Sequence, residues 1–377
     1  MNTGIHYTVA DAELMRSAIQ RVATGPELSK NLSQDETRSV THALLDGSAD
    51  DVQAAVFLIG LRMKRETEDE IKGVMDALQD RTETVEASVA EVVAIAEPYN
   101  GFNRTLQGSF FVLPVLAACG VAVYSHGVKS GGPKFGVNHH TVIKALGGNP
   151  LKTTAEIASR IAEPTIGWGY LDQRNMCPAL HNLNKLRERI VKRPVFSTTE
   201  VLVFPIKGAR KSHLITGYVH KPYRDTYCLL AKHVGYDSLL LVRGTEGGMI
   251  PSFRAAAHIV RFDEQISYEE LDLDLASIDL ERTYRAADIP EDMPLAKKDS
   301  GPIGRKWDID ALSALCAKKG LDALNGKEGP ILDAAIAGAA LTLWHTGNEK
   351  TLEDAAAKAR HAIASGEALR RLQAGLT

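Results

Sequence analysis

Three short segments carry the residue types that could hold or transform a charged ligand: AEPYNGFNR at 96–104, YSHGVKSGGPKFGVNHH at 124–140 and RGTEGG at 243–248. In the first, Gly101 permits close backbone approach, Asn100 and Asn103 bring amide groups, and Arg104 supplies a planar donor fork for an oxyanion. In the second, His126, Gly127, Lys129, Ser130 and Lys134 directly follow an apolar run, so N–H groups, hydroxyls and ammonium groups can surround a phosphate there. The spacing does not match G-x-x-x-x-G-K-[ST], which argues against ATP hydrolysis. In the third, Glu246 is a single carboxylate ahead of two glycines, the one candidate for a catalytic acid or base and by itself a thin magnesium site. His139 and His140 are neighbours at a helix start and point in different directions. No cysteine or carboxylate nearby completes a zinc spacing, so no metal site is expected.

Charge supplies a second signal. The chain carries a formal net charge of −3, yet His181–Lys232 holds eleven Lys/Arg against three acids, a local +8. Within it, Lys185, Arg189 and Lys192 have helical i, i+4 and i+3 spacing, which would make one helix face positive. Arg193, Arg210 and Lys211 extend that surface, and Phe196, Phe204, Tyr218, Tyr223 and Tyr227 are interspersed. Cations neutralise phosphates and aromatics stack on bases, so these residues are candidate nucleic-acid contacts, although no standard DNA-reading motif accompanies them. The competing reading is a solvated basic helix opposite the acidic segment 263–300, where twelve acids outnumber four bases.

Helices and strands must position these loops. Residues 1–95 read as a helical domain, completed by part of 160–192. TVADAELMRSAIQRVATG stops near Gly25-Pro26, Ser33 to Glu36 and Thr67 to Glu70 form S/T-x-x-E capping boxes, and Ser48 is a cap for a third helix through AAVFLIGLRMK. Residues 96–377 read as an α/β domain. SFFVLPVLAACG is a buried helix feeding the strand VAVYSHG, HTVIKALGG is a short helix, and VLVFPI, HLITGYV and SLLLVRG are further strands. AKHVG ends a crossover helix, and the acidic segment is a solvated connection or edge element. DIDALSALCAKKG, GPILDAAIAGAALTLWHTG and TLEDAAAKARHAIASG are covering helices. The expected fold is therefore a small helical domain packed on a larger α/β domain with a central, mostly parallel sheet.

Bulk properties fit that plan. With 44% hydrophobic and 24% charged residues over 377 positions, the chain has material for two cores and none of the low hydrophobicity of a disordered protein. No apolar stretch approaches the roughly 20 residues that cross a membrane, and MNTGIHYTVADAELM lacks the basic and apolar parts of a leader, so a cytoplasmic location is expected. Cys119, Cys177, Cys228 and Cys316 are widely spread and read as reduced thiols.

The three loops and the helix-first layout together resemble the anthranilate phosphoribosyltransferase and nucleoside phosphorylase superfamily, from the first helices to roughly residue 360. PYNGFNR, SHGVKSGGPKFGV and RGTEGG look most like a divergent subgroup of DNA-binding homologues. The resemblance implies a homodimer with a cleft between the two domains. It also locates departures. The family's G-T-G-G-D falls on Tyr99–Arg104, its K-H-G-N-R on Ser125–Lys129 with only His126 and Gly127 kept, and its D-G-x-D-E on Thr245–Met249 without the acidic pair.

Three functions compete. The first is binding of nucleic acid or another polyphosphate on the basic surface, with no cofactor and without anthranilate phosphoribosyltransferase activity. The second is transfer of a phosphorylated pentose to an unidentified acceptor, with Mg²⁺ involved only in this case. The third is a non-catalytic regulator that binds a phosphorylated metabolite.

Overall fold

The computed structural model describes residues 9–25, 27–297 and 302–377. Pro26, the first eight residues of the leader reading, and Lys298 and Asp299 of the acidic segment lie outside them. The first layer is a bundle of α1 (Val9–Val22), α2 (Gln34–Leu45), α3 (Asp51–Lys64) and α4 (Glu68–Asp80). The Ser33/Glu36 and Thr67/Glu70 capping boxes both close. Helix α3 is capped by Asp50, not Ser48: the Asp50 carboxylate accepts the Val52 and Gln53 N–H groups, and its charge suits the positive helix end. Fully buried Glu70 ties the bundle together, accepting from Leu32 N–H at 2.9 Å, Thr67 N–H at 2.8 Å and Lys64 Nζ at 2.8 Å.

A short parallel pair, β1 (Val85–Glu86) with β5 (Ile206–Lys207), stands apart from the main sheet. The expected strand VLVFPI is otherwise irregular, because Glu200–Leu202 turns as a 3₁₀ helix and only Ile206 enters a strand. The main sheet contains β2 (Glu91–Ala96), β3 (Val123–Gly127), β4 (Trp168–Asp172), β6 (Lys211–Tyr218), β7 (Ser238–Arg243), β8 (Ala257–Phe262) and β9 (Glu269–Leu273). Their order is β4-β3-β2-β6-β7-β8-β9, parallel through β7 and antiparallel beyond. The sheet thus begins at Glu91, ahead of the boundary expected at residue 96. The acidic segment does supply the edge strand β9, but Leu275, Ile278 and Leu280 from it are buried.

Strand β2 is buried on both faces. Val93 and Ile95 enter the core beneath α5 (Val112–Ala118), while Val92, Ala94 and Ala96 enter the core shared with the bundle. The bundle-side core also takes side chains from α7 (Thr154–Ala162), the short helices α8 (Gln173–Met176), α9 (Pro178–Asn182), α10 (Asn184–Ile190) and α11 (Phe196–Thr199), and α12 (Lys221–Val234). The opposite core takes α6 (His139–Ala145), α13 (Ile309–Leu324), α14 (Pro330–His345), α15 (Leu352–Ala364) and α16 (Glu367–Leu376). Within 160–192, β4 joins the sheet, whereas α9 and α10 pack on α2 and α3. Among the described residues no helix is long and apolar enough to cross a membrane.

From β2 the chain winds outward through β3 to β4, then returns to β6 on the other side of β2 and winds outward again. The strand order therefore reverses between β2 and β6. At such a switch point the loops leaving the strand C-termini diverge and open a crevice.

Candidate functional site

Loops after β2, β3, β6 and β7 meet at that crevice. The loop after β2 is fastened to the loop after β3: Phe102 N–H donates to Val137 O at 2.8 Å and Gly136 N–H to Asn100 O at 2.9 Å. Gly101 is required here, with φ +72° and space for a Cβ only 2.5 Å from Gly136 O. This fastening aims three successive amides, from Asn103, Arg104 and Thr105, at one point, an anion-binding arrangement.

That point is already filled. The carboxylate of Glu246 accepts the N–H groups of Asn103 (3.3 Å), Arg104 (2.8 Å) and Thr105 (3.0 Å), the Thr105 hydroxyl (3.2 Å) and Lys134 Nζ (2.8 Å). Glu246 adopts φ 54°, a strained position for a residue with a side chain, and the five donors hold it there. Burial works to raise its pKa, but Lys134 and the Arg104 and Asn103 amides prevail and hold the carboxyl below its ordinary range. Lys134, in turn, is drawn below the usual ammonium range by burial, against the pull of Glu246. Of the residues expected around a phosphate, Asn103 and Lys134 here donate to an internal carboxylate, Gly101 shapes the loop that carries the Asn103 amide, and Lys134 also lines the adjoining cleft. Glu246 is bound as an anion, with its oxygens spent on donors, so this geometry does not suit the acid or base role.

Beside this plug lies a cleft of about 520 Å³, formed jointly by bundle and sheet domain. Arg62 reaches in from α3, Arg193 from the segment before α11, and Arg104 and Arg285 from the sheet domain. Among the described residues no carboxylate lies within ion-pair distance of Arg104, Arg193 or Arg285. Burial lowers the pKa of Arg193, and the guanidinium groups of Arg62 and Arg104 lower it further against the opposing Tyr223. Tyr218, Tyr223 and Tyr227 line the same space; Arg62 hydrogen-bonds the Tyr223 hydroxyl and stands 5.5 Å from its ring centroid. Asn100 also lines the cleft, with Oδ1 buried and unpartnered.

The remaining expected phosphate contacts fall elsewhere. His126 is 2% exposed, with Nδ1 on the Tyr99 hydroxyl; burial lowers its pKa to about 3, so it is neutral and lies beneath the site. Gly127 is buried behind Tyr170, whose hydroxyl would lie 3.2 Å from an added Cβ. Lys129 and Ser130 line a separate cavity. His139 and His140 do face different partners: Ser125 Oγ at 2.8 Å for one, Asp172 at 2.7 Å for the other.

The expected nucleic-acid surface is divided. Helix α10 stops at Ile190 and Val191 turns left-handed (φ 64°), so Lys192 is out of helical register with Lys185 and Arg189. Lys185 and Lys192 are exposed, but Arg189 pairs with Asp51 at 2.7 Å. Arg210 and Lys211 lie at the start of β6, the end of the sheet opposite the cleft, and pair with Glu91 at 3.5 Å and Glu264 at 3.0 Å. Of the six, only Arg193 lines the cleft.

Sequence reasoning overlooked Arg62, Arg285 and Glu97. The first two sit in segments with no other ligand-binding signal, and only the fold brings them in. Glu97 had a signal, as an acid directly after the apolar run of β2. Burial pushes its carboxyl up to about 7 despite the Ser109 hydroxyl, the Met249 N–H and Lys134.

A helical bundle closed over the switch point of a mostly parallel sheet, with a cation-lined cleft between them, is the architecture of a two-domain transferase. The chain belongs to the glycosyl transferase family that contains the anthranilate phosphoribosyltransferases. Residues 16–82 match the helical bundle domain of that family and residues 100–369 its a/b domain. An anthranilate phosphoribosyltransferase of Erythrobacter litoralis is 30% identical over 348 residues, 92% of this chain and 96% of that protein. An uncharacterized protein of Aquifex aeolicus is 27% identical over 222 residues, so the chain spans 65% of its length. The fold is shared with anthranilate phosphoribosyltransferase of Thermus thermophilus (TM-score 0.72, 21% identity, 96% of this chain and 98% of that one). It is also shared with the Saccharomyces cerevisiae enzyme solved with PRPP and Mg (TM-score 0.74, 16% identity, 98% of each chain).

Proposed function

We propose that this protein binds nucleic acid, or a polyphosphate of similar charge spacing, in the arginine- and tyrosine-lined cleft, and that it does not transfer phosphoribosyl groups to anthranilate. The observation that carries the reading is the pairing of charge. Arg104, Arg193 and Arg285 surround one cleft without a carboxylate partner among the described residues, while Glu246 fills the amide loop beside them. Unpaired guanidinium groups attract backbone phosphates, and the partly exposed Tyr223 and Tyr227 that line the cleft are the candidate stacking partners for bases. A single strand suits this arrangement better than a duplex, because a stacked duplex does not present base faces.

Placement among DNA-binding homologues of the family and assembly as a homodimer belong to the same reading. Val52, Val56 and Met63 of α3 are exposed apolar side chains that a second copy could cover.

The transferase alternative draws on the enzymes with which the chain shares its length. Against it stands the donor set for Mg²⁺. Mg²⁺ is usually held through one or two carboxylates together with substrate phosphates, yet the oxygens of Glu246 take five donors and Glu97 is buried with a raised pKa. Incubation with phosphoribosyl diphosphate, anthranilate and Mg²⁺ should give no anthranilate ribonucleotide, and product formation that depends on Lys134 would reverse the proposal.

A further inference from the structure

The loop after β3 has two sides. Lys134 turns into the cleft, but Lys129 and Ser130 line a second cavity of about 700 Å³, walled opposite by α13 and the residues that lead into it. His140, Lys144, Arg305 and Ser313 also line it, with the acids Asp308 and Asp310 at the α13 end.

Two independent features mark this cavity as built for a ligand. The first is unspent hydrogen-bonding capacity. Ser313 is 2% exposed with Oγ unpartnered, and Ser130 Oγ and Arg305 Nε are likewise buried without partners. Buried polar atoms normally find a partner because leaving one unmade is costly, and these three belong to residues that line one cavity. Among the described residues, Lys129, Lys144 and Arg305 also have no carboxylate within ion-pair distance, whereas the nearby acid Asp308 caps α13 through Ala311 N–H at 3.1 Å. Asp310, the other acid of the lining, is exposed.

The second feature is an oriented imidazole. His140 Nδ1 lies 2.7 Å from Asp172 Oδ2, and Asp172, 1% exposed, is fixed by the Tyr170 hydroxyl at 3.3 Å and Arg174 N–H at 2.9 Å. A carboxylate that holds one ring nitrogen sets the ring's orientation and leaves Nε2 for a ligand. Ammonium, guanidinium, hydroxyl and imidazole donors together match the three oxygens and double charge of a phosphate monoester.

We propose that this cavity is a second anion site, distinct from the cleft, that takes a phosphate monoester. Lys129, Lys144 and Arg305 balance its charge, the hydroxyls of Ser130 and Ser313 donate to its oxygens, and His140, its Nδ1 held by Asp172, presents Nε2 to the ester. The site stands whether or not the cleft binds nucleic acid. Two sources offer this chemistry: a free phosphorylated metabolite and the 5′-phosphorylated end of a strand.

Calorimetric titration of the full chain with ribose 5-phosphate and with inorganic phosphate tests it. Binding is expected, weakened about tenfold or more by K144E/R305E and left unchanged by the cleft variant R104E/R193E. Ser313→Ala, which removes one hydroxyl without reversing charge, should weaken binding in the same direction and keeps the test valid if the double variant misfolds. Absence of binding by both probes in the millimolar range, or equal weakening by both double variants, would overturn the proposal. Oligonucleotides with and without a 5′-phosphate separate the sources. A preference for the phosphorylated strand that K144E/R305E abolishes assigns the strand end, and equal binding of the two strands beside retained ribose 5-phosphate binding assigns the free ester.

Discussion

Glu246 and Arg104 are joined by a 2.8 Å hydrogen bond from the Arg104 backbone N–H to the Glu246 carboxylate, so a loop shaped to hold an anion is closed by the chain's own side chain. The Arg104 guanidinium lines the cleft instead. Removing that carboxylate should have two opposed effects. Glu246→Ala should cost about 1–3 kcal/mol of stability, because buried donors lose their acceptor. The same substitution should raise affinity for inorganic diphosphate, since the Asn103–Thr105 amides and Lys134 become available. Chemical denaturation and calorimetry measure the two effects; a variant that is destabilised without any gain in diphosphate affinity would show that the loop is closed for structural reasons alone.

The buried Glu70–Lys64 pair makes a separate prediction. Glu70 accepts from the start of α4, the end of α3 and the segment before α2 at once. Glu70→Ala should lower unfolding stability by roughly 3–5 kcal/mol by leaving Lys64 buried and unpaired. A loss below about 1 kcal/mol in urea denaturation would mean that water reaches the lysine.

Stability should also depend on pH with a definite sign. Burial holds His126, His139 and His345 at pKa values of about 3, below the usual 6.5. The unfolded chain binds their protons first, so the stability they contribute is complete above 6.5 and is lost as pH falls toward 3. Glu97, raised to about 7, acts oppositely between 4.5 and 7, where the folded state holds the extra proton and stability falls as pH rises. Three histidines outweigh one carboxyl in that window, so the urea midpoint should be lower at pH 5 than at pH 6.5. Glu97→Gln should steepen the dependence; a flat profile in the parent protein would contradict the neutral buried imidazoles.

Much of the fold was legible in the sequence. Both capping boxes, the α5-to-β3 unit and the helices after Asp308 follow from periodicity and turn residues. Strand β2 was hidden because EVVAIA, buried on both faces, lacks the alternation that marks a half-buried strand. The three loops that meet at the crevice stand out in the sequence, but not the division of contacts among them. The pairing of Glu246 with amides some 140 positions away, the turn at Val191 and the placement of Arg210 and Lys211 at the far end of β6 are tertiary facts. Local charge density identified the basic region while saying nothing of which cations find acids.

Cations that are paired and cations that are free should respond differently to salt and substitution. Affinity for a single-stranded oligonucleotide, followed across a salt series, should fall with a log–log slope that is shallower by about 0.7 for each phosphate contact removed. R104E/R193E should weaken binding strongly and flatten that slope, whereas R210E/K211E, whose cations are already paired far from the cleft, should leave both unchanged. Loss of binding in R210E/K211E with R104E/R193E unaffected would contradict the assignment of the cleft.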